Sequence, residues 1–186
     1  MSRLPLLTAE TAPEASRPFV EKAQANNGFL PNLIASLANS PAALETYLTV
    51  SGINARSNLS LLEREVVQIT AAGIHGCEFC VAGHSAIVIK KGELDKETTI
   101  ALQERRRTGN PRFDAIAAFT RAVIVSRGNV GNGEYADFLA AGFDAGQAVD
   151  VILGVSLATL CNFTNSLAQN EINPQLNSFR PGVLQP

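Results

Sequence analysis

Apolar residues in this chain recur at intervals of three and four, and hardly anywhere at every second position. The spacing runs through Leu62, Val66, Ile69 and Gly73, then through Ile116, Phe119, Ala122 and Val123. It returns in Val149, Ile152, Leu153, Leu157, Leu160 and Leu167. Such intervals put one apolar stripe on a helix, and the scarcity of alternation leaves little material for a half-buried sheet. The fold class expected is all-α. The punctuation agrees. Ser40-Pro41 is an N-cap followed by proline at the first helical position, and Ser60 with Glu63 is a capping box. Asp95 opens a short helix to about Arg107, and Thr108-Gly109-Asn110-Pro111 is a turn. Further helices are expected over 14–25, 33–38, 113–127, 134–141 and 145–169. With 186 residues and 46% hydrophobic content, the chain can bury one full core. It divides into an arm at 1–28, a helical domain at 29–170 and an extended, proline-bearing tail at 171–186.

One stretch, Leu61 to Gly92, gathers the chemistry. It holds Glu65, then Cys77-x-x-Cys80, then His84. Glu65 sits at the margin of its helix's stripe, in line with Ile69 and Ala72, where a carboxylate can lean toward the next helix. Gly73 and Gly76 loosen the chain, so Cys77 falls at or near a new helix start. Each helical residue turns by about 100°, so Cys77, Cys80 and His84 project from nearly one face, with Cys80 and His84 at the i, i+4 separation. Lys90, Lys91 and Gly92 close that helix, cations at the negative pole and glycine as the cap.

Two thiols one turn apart can close a disulfide, and a C-x-x-C pair commonly contains one acidified thiol. A helix N-terminus favours the thiolate, and a neighbouring imidazole can accept the proton. His84 is placed to serve Cys80, and Glu65 to orient His84. Three readings stay open on these residues: dithiol redox chemistry, a metal site drawing on Cys77, Cys80, His84 and His75, or structural thiols. Zinc ligands usually come from two separate short elements, and haem attachment needs histidine directly after the second cysteine, where Val81 stands. Cys161 reads as core. A faint echo, Cys161-Asn162-Phe163-Thr164, with Asp150 mirroring Glu65, suggests a degenerate internal repeat with only its first copy armed.

The formal net charge of −2 provides no electrostatic footprint for nucleic acid. Arg105-Arg106-Arg107 reads as a solvated helix end. The apolar run near the N-terminus is too short for a secretory leader, and Val149 to Leu160 falls short of the ~20 residues of a membrane span. A cytoplasmic protein with neither nucleic acid nor membrane as partner is expected, with no cofactor.

Glu65, then Cys77-x-x-Cys80-x-x-x-His84 within GCEFCVAGH, resembles the motif of the AhpD-like alkylhydroperoxidases of the carboxymuconolactone decarboxylase superfamily. Phe29-Leu30-Pro31-Asn32, Ser40-Pro41-Ala42-Ala43-Leu44, Leu61-Leu62-Glu63-Arg64-Glu65 and Ala141-Gly142-Phe143 are similar to further landmarks, over about residues 29 to 170. The resemblance implies an AhpD-like helical fold assembled as a trimer or hexamer, and peroxidase activity on an organic hydroperoxide or hydrogen peroxide. It implies Cys80 as the attacking thiol, Cys77 as the resolving one, and Glu65 with His84 as a proton relay. An external dithiol would restore the thiols, a lipoylated acyltransferase subunit being the family's usual reductant. Phe79 stands where some members have histidine between the cysteines, and His75 lies just before the pair instead. Members that decarboxylate a lactone lack the two cysteines, which argues against that chemistry. A redox-responsive or metal-binding helical module without turnover is the reading from another class.

Overall fold

The structure is a computed structural model, described over residues 2–91 and 94–185. Among these residues every regular element is helical: α1 (Arg17–Asn27), α2 (Asn32–Leu37), α3 (Pro41–Asn54), α4 (Leu61–His75), α5 (Glu78–Lys90), α6 (Lys96–Gln103), α7 (Pro111–Ser126), α8 (Asn132–Ala140) and α9 (Ala145–Ala168). Two 3-10 turns, Glu14–Ser16 and Pro174–Phe179, complete the chain. The all-α expectation holds. The cap expected at Gly92 lies outside the described residues.

α4 is the hub, packed against α9, α5 and α7. Its start is the capping box read from sequence: the Glu63 N–H donates to Ser60 Oγ and the Ser60 N–H to Glu63 Oε2. From Glu63 to Ala72 the helix is almost wholly buried, so its stripe has widened into an all-round core surface. α9 approaches it closely at Gly154, where a Cβ would stand 3.0 Å from Val67 Cγ1. The glycine thereby lets two backbones meet, and Gln68 Nε2 donates to the Gly154 carbonyl at 2.9 Å. On the α7 side, Phe119, Phe138 and Phe143 stack in series at 4.2 and 4.4 Å. Arg112 lies over Phe143 and pairs with Glu63.

α9, at 24 residues, is long and apolar enough by length and composition to cross a membrane. The sequence stretch Val149 to Leu160 had fallen short because it marked only half of the helix. α9 nevertheless packs against α2, α3, α4 and α7, and carries buried Asn162 and Asn165.

Both ends of the chain fold back on this core. Ser2 Oγ and the Arg3 N–H both donate to the Ala168 carbonyl at the end of α9. The tail departs from the extended form expected of it. Pro174–Phe179 is a 3-10 turn with Leu176 buried, and it packs on α5. Gln103 Nε2 explains the anchoring, donating to both Ser85 Oγ and the Phe179 carbonyl at 2.8 and 2.9 Å. α6 stops at Gln103, four residues short of Arg107, because Arg105 turns to φ 59°. The three arginines are exposed, Arg106 beside Glu104 and Arg107 beside Asp114.

Candidate active site

α4 and α5 lie side by side, and this brings Glu65 to His84. His84 Nδ1 stands 2.7 Å from Glu65 Oε2. An Nδ1–H facing a carboxylate leaves Nε2 as the working nitrogen. Glu65 is buried, while the His84 side chain keeps 26% of its surface exposed. Burial is the largest influence on His84 and opposes its charge. The Glu65 charge and hydrogen bond, with a contribution from Cys77, outweigh it and raise the imidazole pKa above its usual value.

Cys77 is the N-cap of α5, and its sulfur accepts the Cys80 N–H at 3.4 Å. The two cysteines are therefore not on one continuous helix: the first stands at its mouth, the second in its first turn. Both are free and buried. A hydrogen bond from the Cys80 thiol is the main cause that brings the Cys77 pKa down to about 7. Burial opposes this, while the Cys80 N–H, Asn165 and His84 assist. The same hydrogen bond, then burial and the charges of Cys77 and Cys161, push the Cys80 thiol up. The environment thus favours the thiolate at Cys77 over that at Cys80. His84 makes no hydrogen bond to either sulfur; its described partner is Glu65.

A third side chain that sequence reasoning missed reaches the pair. Asn165 Nδ2 donates to Cys80 Sγ at 3.2 Å, and it is the one influence that lowers the Cys80 pKa. Its orientation is set by a chain of amides. Ser36 Oγ and Ser2 Oγ donate to Asn170 Oδ1 at 2.9 and 3.1 Å, so Asn170 Nδ2 must face Asn165 Oδ1, at 2.7 Å. That leaves the Asn165 amino group turned to sulfur. The available signal was the i, i+3 pair Asn162 and Asn165, two amides in the second half of a largely apolar helix.

Two cavities flank the C-x-x-C turn. One, of about 490 Å³, is lined by Cys80, His84, Tyr47, Cys161 and mostly apolar neighbours such as Phe29, Leu33 and Ile87. The other, of about 550 Å³, is lined by Cys77 with polar side chains of α9 and the tail. Phe79 lines both. Cys161, in the first, is a core residue as expected that also forms part of the wall, and burial, then the Cys77 charge, push its thiol up to about 12. Tyr47 stays protonated, held so by burial and by the charges of Cys161, Cys80 and Glu65.

His75 is turned away, its Nδ1 2.9 Å from Asn162 Oδ1 and its ring against Phe163. Among the described residues no three His, Cys, Asp or Glu side chains converge to hold a metal. The echo around Cys161 carries no second site: Asp150 accepts the Asn58 N–H, and the Thr164 hydroxyl donates to the Leu160 carbonyl.

Residues 41–122, which hold Glu65, Cys77, Cys80 and His84, match the model of the Carboxymuconolactone decarboxylase family. The whole chain superposes on an uncharacterized peroxidase-related protein with an alkylhydroperoxidase AhpD core from Ralstonia eutropha JMP134. That match has a TM-score of 0.85 at 20% identity, over 95% of each chain. Residues 41–122 of this chain are thus similar to the carboxymuconolactone decarboxylase family, and the whole chain has the AhpD-like fold. A peroxidase-related protein from Silicibacter sp. TM1040 is similar in fold at a TM-score of 0.81 and 20% identity, over 96% of each chain. So is a cysteine-to-alanine variant of the debrominase Bmp8, solved with 2,3,4-tribromopyrrole, at 0.76 and 16%, again over 96% of each. No curated protein sequence matches the chain. At these identities the solved structures establish the AhpD-like fold alone.

Proposed function

We propose that this AhpD-like chain is a dithiol peroxidase that reduces an alkyl hydroperoxide, or hydrogen peroxide, at Cys80, with Cys77 as the resolving thiol. The observation that carries this reading is that Cys80 and His84 line one cavity while Glu65 holds the imidazole at 2.7 Å. The Cys80 thiol gives its proton to the Cys77 thiolate, and the Asn165 N–H remains on the Cys80 sulfur to hold its charge. The thiolate attacks the peroxide oxygen and the O–O bond breaks. His84, raised toward its charged form, gives the leaving alkoxide its proton. The products are an alcohol and a sulfenic acid on Cys80. Cys77 then attacks that sulfur, the S–O bond breaks, and the hydroxide leaves as water with the Cys77 proton. An external dithiol, of which a lipoylated protein is one source, reduces the disulfide by exchange.

The test is intact mass after reduced protein meets cumene hydroperoxide. The wild type should lose two hydrogens. Cys77→Ser should stop one oxygen heavier at Cys80, and Cys80→Ser should do neither. Full turnover by the double variant overturns the proposal.

A second reading shares the dithiol. Phe29, Tyr47 and Phe79 in the Cys80 cavity suit an aromatic guest, so reductive removal of halogen from an aromatic ring is the rival activity. Bromide release from 2,3,4-tribromopyrrole, without peroxide consumption, would favour it. We further propose that the exposed Val149, Ile152, Phe163 and Leu167 of α9 meet other copies of the chain in a trimer or hexamer. A monomer by light scattering at micromolar concentration removes this. A cytoplasmic setting suits a dithiol that must be re-reduced each cycle.

A further inference from the structure

We propose that the chamber at Cys80 takes an anionic amphiphile, a long-chain fatty-acid hydroperoxide whose carboxylate is held by Lys90 and Lys91. The inference deepens the peroxidase reading and rests on it for the reacting group alone.

The chamber is graded along one helix. Cys80, His84, Ile87 and Lys91 follow one another on α5 at steps of four, three and four, which is one helical face. All four line the chamber, as does Lys90. The wall includes the buried Leu33, Ile34 and Cys161. Its polar rim is exposed: Lys90 and Lys91 from the end of α5, Asn26 and Asn27 from the end of α1. Among the described residues no Asp or Glu lines the chamber, and no carboxylate pairs with either lysine. Lys90 is steadied by the tail instead, its Nζ 5.4 Å from the centre of the Phe179 ring.

Charge decides what such a rim admits. Two helix C-termini meet there, and each contributes about half a negative charge, so two lysines leave about one positive charge over. The lining carries no carboxylate to take it up. A neutral hydroperoxide would use the apolar wall and leave the rim idle, whereas a fatty-acid anion uses both.

The spacing sets the length of the guest. From Cys80 to Lys90 is ten residues, a rise of about 15 Å on a helix. An extended chain advances about 1.2 Å per bond, so about 12 bonds separate the peroxide-bearing carbon from the carboxylate. The chamber volume, about 490 Å³, lies within the roughly 300–1,000 Å³ of small-molecule sites. The reaction is unchanged by the head group. The Cys80 thiolate takes the terminal peroxide oxygen and the O–O bond breaks. The chain keeps its own oxygen as a hydroxyl, with a proton from His84. Two electrons pass from sulfur to peroxide, and the carboxylate stays intact.

The experiment compares 13-hydroperoxyoctadecadienoate with its methyl ester, both below the concentration at which they form micelles. Single-turnover oxidation of reduced full-length protein is followed by quenched intact mass. Wild type should react with the acid faster than with the ester by about threefold to tenfold, the contribution of two exposed charge pairs. That ratio should shrink in salt. It should fall close to one in the Lys90→Gln, Lys91→Gln double variant and return in Lys90→Arg, Lys91→Arg, which also controls for misfolding. Calorimetric binding of linoleate, which carries no peroxide, gives a second readout, and the Gln variant should bind it about threefold or more weakly. Equal rates for acid and ester in wild type, or linoleate binding that ignores the two substitutions, overturn the proposal and leave the peroxidase reading intact. If linoleate binding does depend on the lysines yet no hydroperoxide oxidises the thiols, the chamber's anionic guest stands and the peroxidase reading falls.

Discussion

The Asn165 amide donates to the Cys80 sulfur at 3.2 Å, and Asn170, five residues further along the chain, decides which way that amide faces. The donor is thus fixed by a neighbour that never touches the thiol. This matters because Cys80 is otherwise the disfavoured thiolate of the pair.

Replacing Asn165 by alanine removes the one interaction that lowers the Cys80 pKa. A hydrogen bond to a charged group contributes about 1.5–3 kcal/mol, so formation of the Cys80 sulfenic acid should slow by roughly 10- to 100-fold. Asn170→Ala, which frees the amide to rotate, should slow it less. Single-turnover oxidation kinetics with a thermal-unfolding control measures both, and unchanged rates in Asn165→Ala would refute the assignment.

At Cys77 the thiolate is favoured, so alkylation by iodoacetamide, mapped by mass, should rise with pH and level off above about 7. The Cys80→Ala variant loses the largest cause of that acidity, and its midpoint should move up toward the ordinary thiol value. The sign for stability follows. The depressed thiol helps the folded state above its ordinary value, and that help is lost as pH falls through about 7.

Glu65→Gln keeps a hydrogen bond to His84 but removes the charge that overcomes burial. The imidazole pKa should then drop, and donation of a proton to the leaving alkoxide should weaken, with kcat falling more than KM rises. Because the wild-type His84 pKa is raised, its stabilising effect is complete below the ordinary histidine value and disappears as pH rises through the raised one. The stability gap between wild type and Glu65→Gln should therefore be wider at acid than at alkaline pH, read by thermal unfolding across the range. A gap that widens upward contradicts the pairing.

Far from the sulfurs, Glu63 closes the α4 capping box and holds Arg112. Burial pulls against its charge, but the Ser60 and Arg112 hydrogen bonds outweigh this, and its pKa lies below the usual carboxylate range. Glu63→Ala should cost about 2–3 kcal/mol from the lost cap and the abandoned partner. Glu63→Gln, which can still cap, should cost less. Acid titration should erase the difference, since the ionised Glu63 stabilises above its ordinary value and stops doing so as pH falls through the lowered one. Urea unfolding at neutral and acid pH checks both statements.

Much of this architecture is legible in the chain because its signals are local. Ser40-Pro41, Ser60 with Glu63, and Asp95 each satisfy backbone donors within three residues, so they mark helix starts without help from the rest of the fold. The same is true of Cys77, whose place at a helix start follows from the glycines before it. Reading Cys77, Cys80 and His84 as one face captured their proximity but not the consequence of the boundary. As the N-cap, Cys77 receives the Cys80 N–H and the acidifying environment, while the thiolate of the expected attacker is disfavoured. The tail misled for a related reason. Its prolines disfavour regular helix, yet Gln103, seventy-six residues upstream, supplies the bond that pins its 3-10 turn.

The sequence by itself determined the helices, their order, and the joining of an acid, two thiols and an imidazole across one helix pair. Those features depend on caps and on three- and four-residue spacing, interactions a short segment can satisfy alone. Tertiary structure decided the direct 2.7 Å contact of Glu65 with His84, the donor Asn165 on Cys80, and the division of the two sulfurs between an apolar chamber and a polar cleft. Each of these depends on elements 19 or more residues apart meeting at ångström precision. For Asn165 it also requires α9 to lie close against the core, which Gly154 allows against Val67 of α4, and no local pattern encodes it.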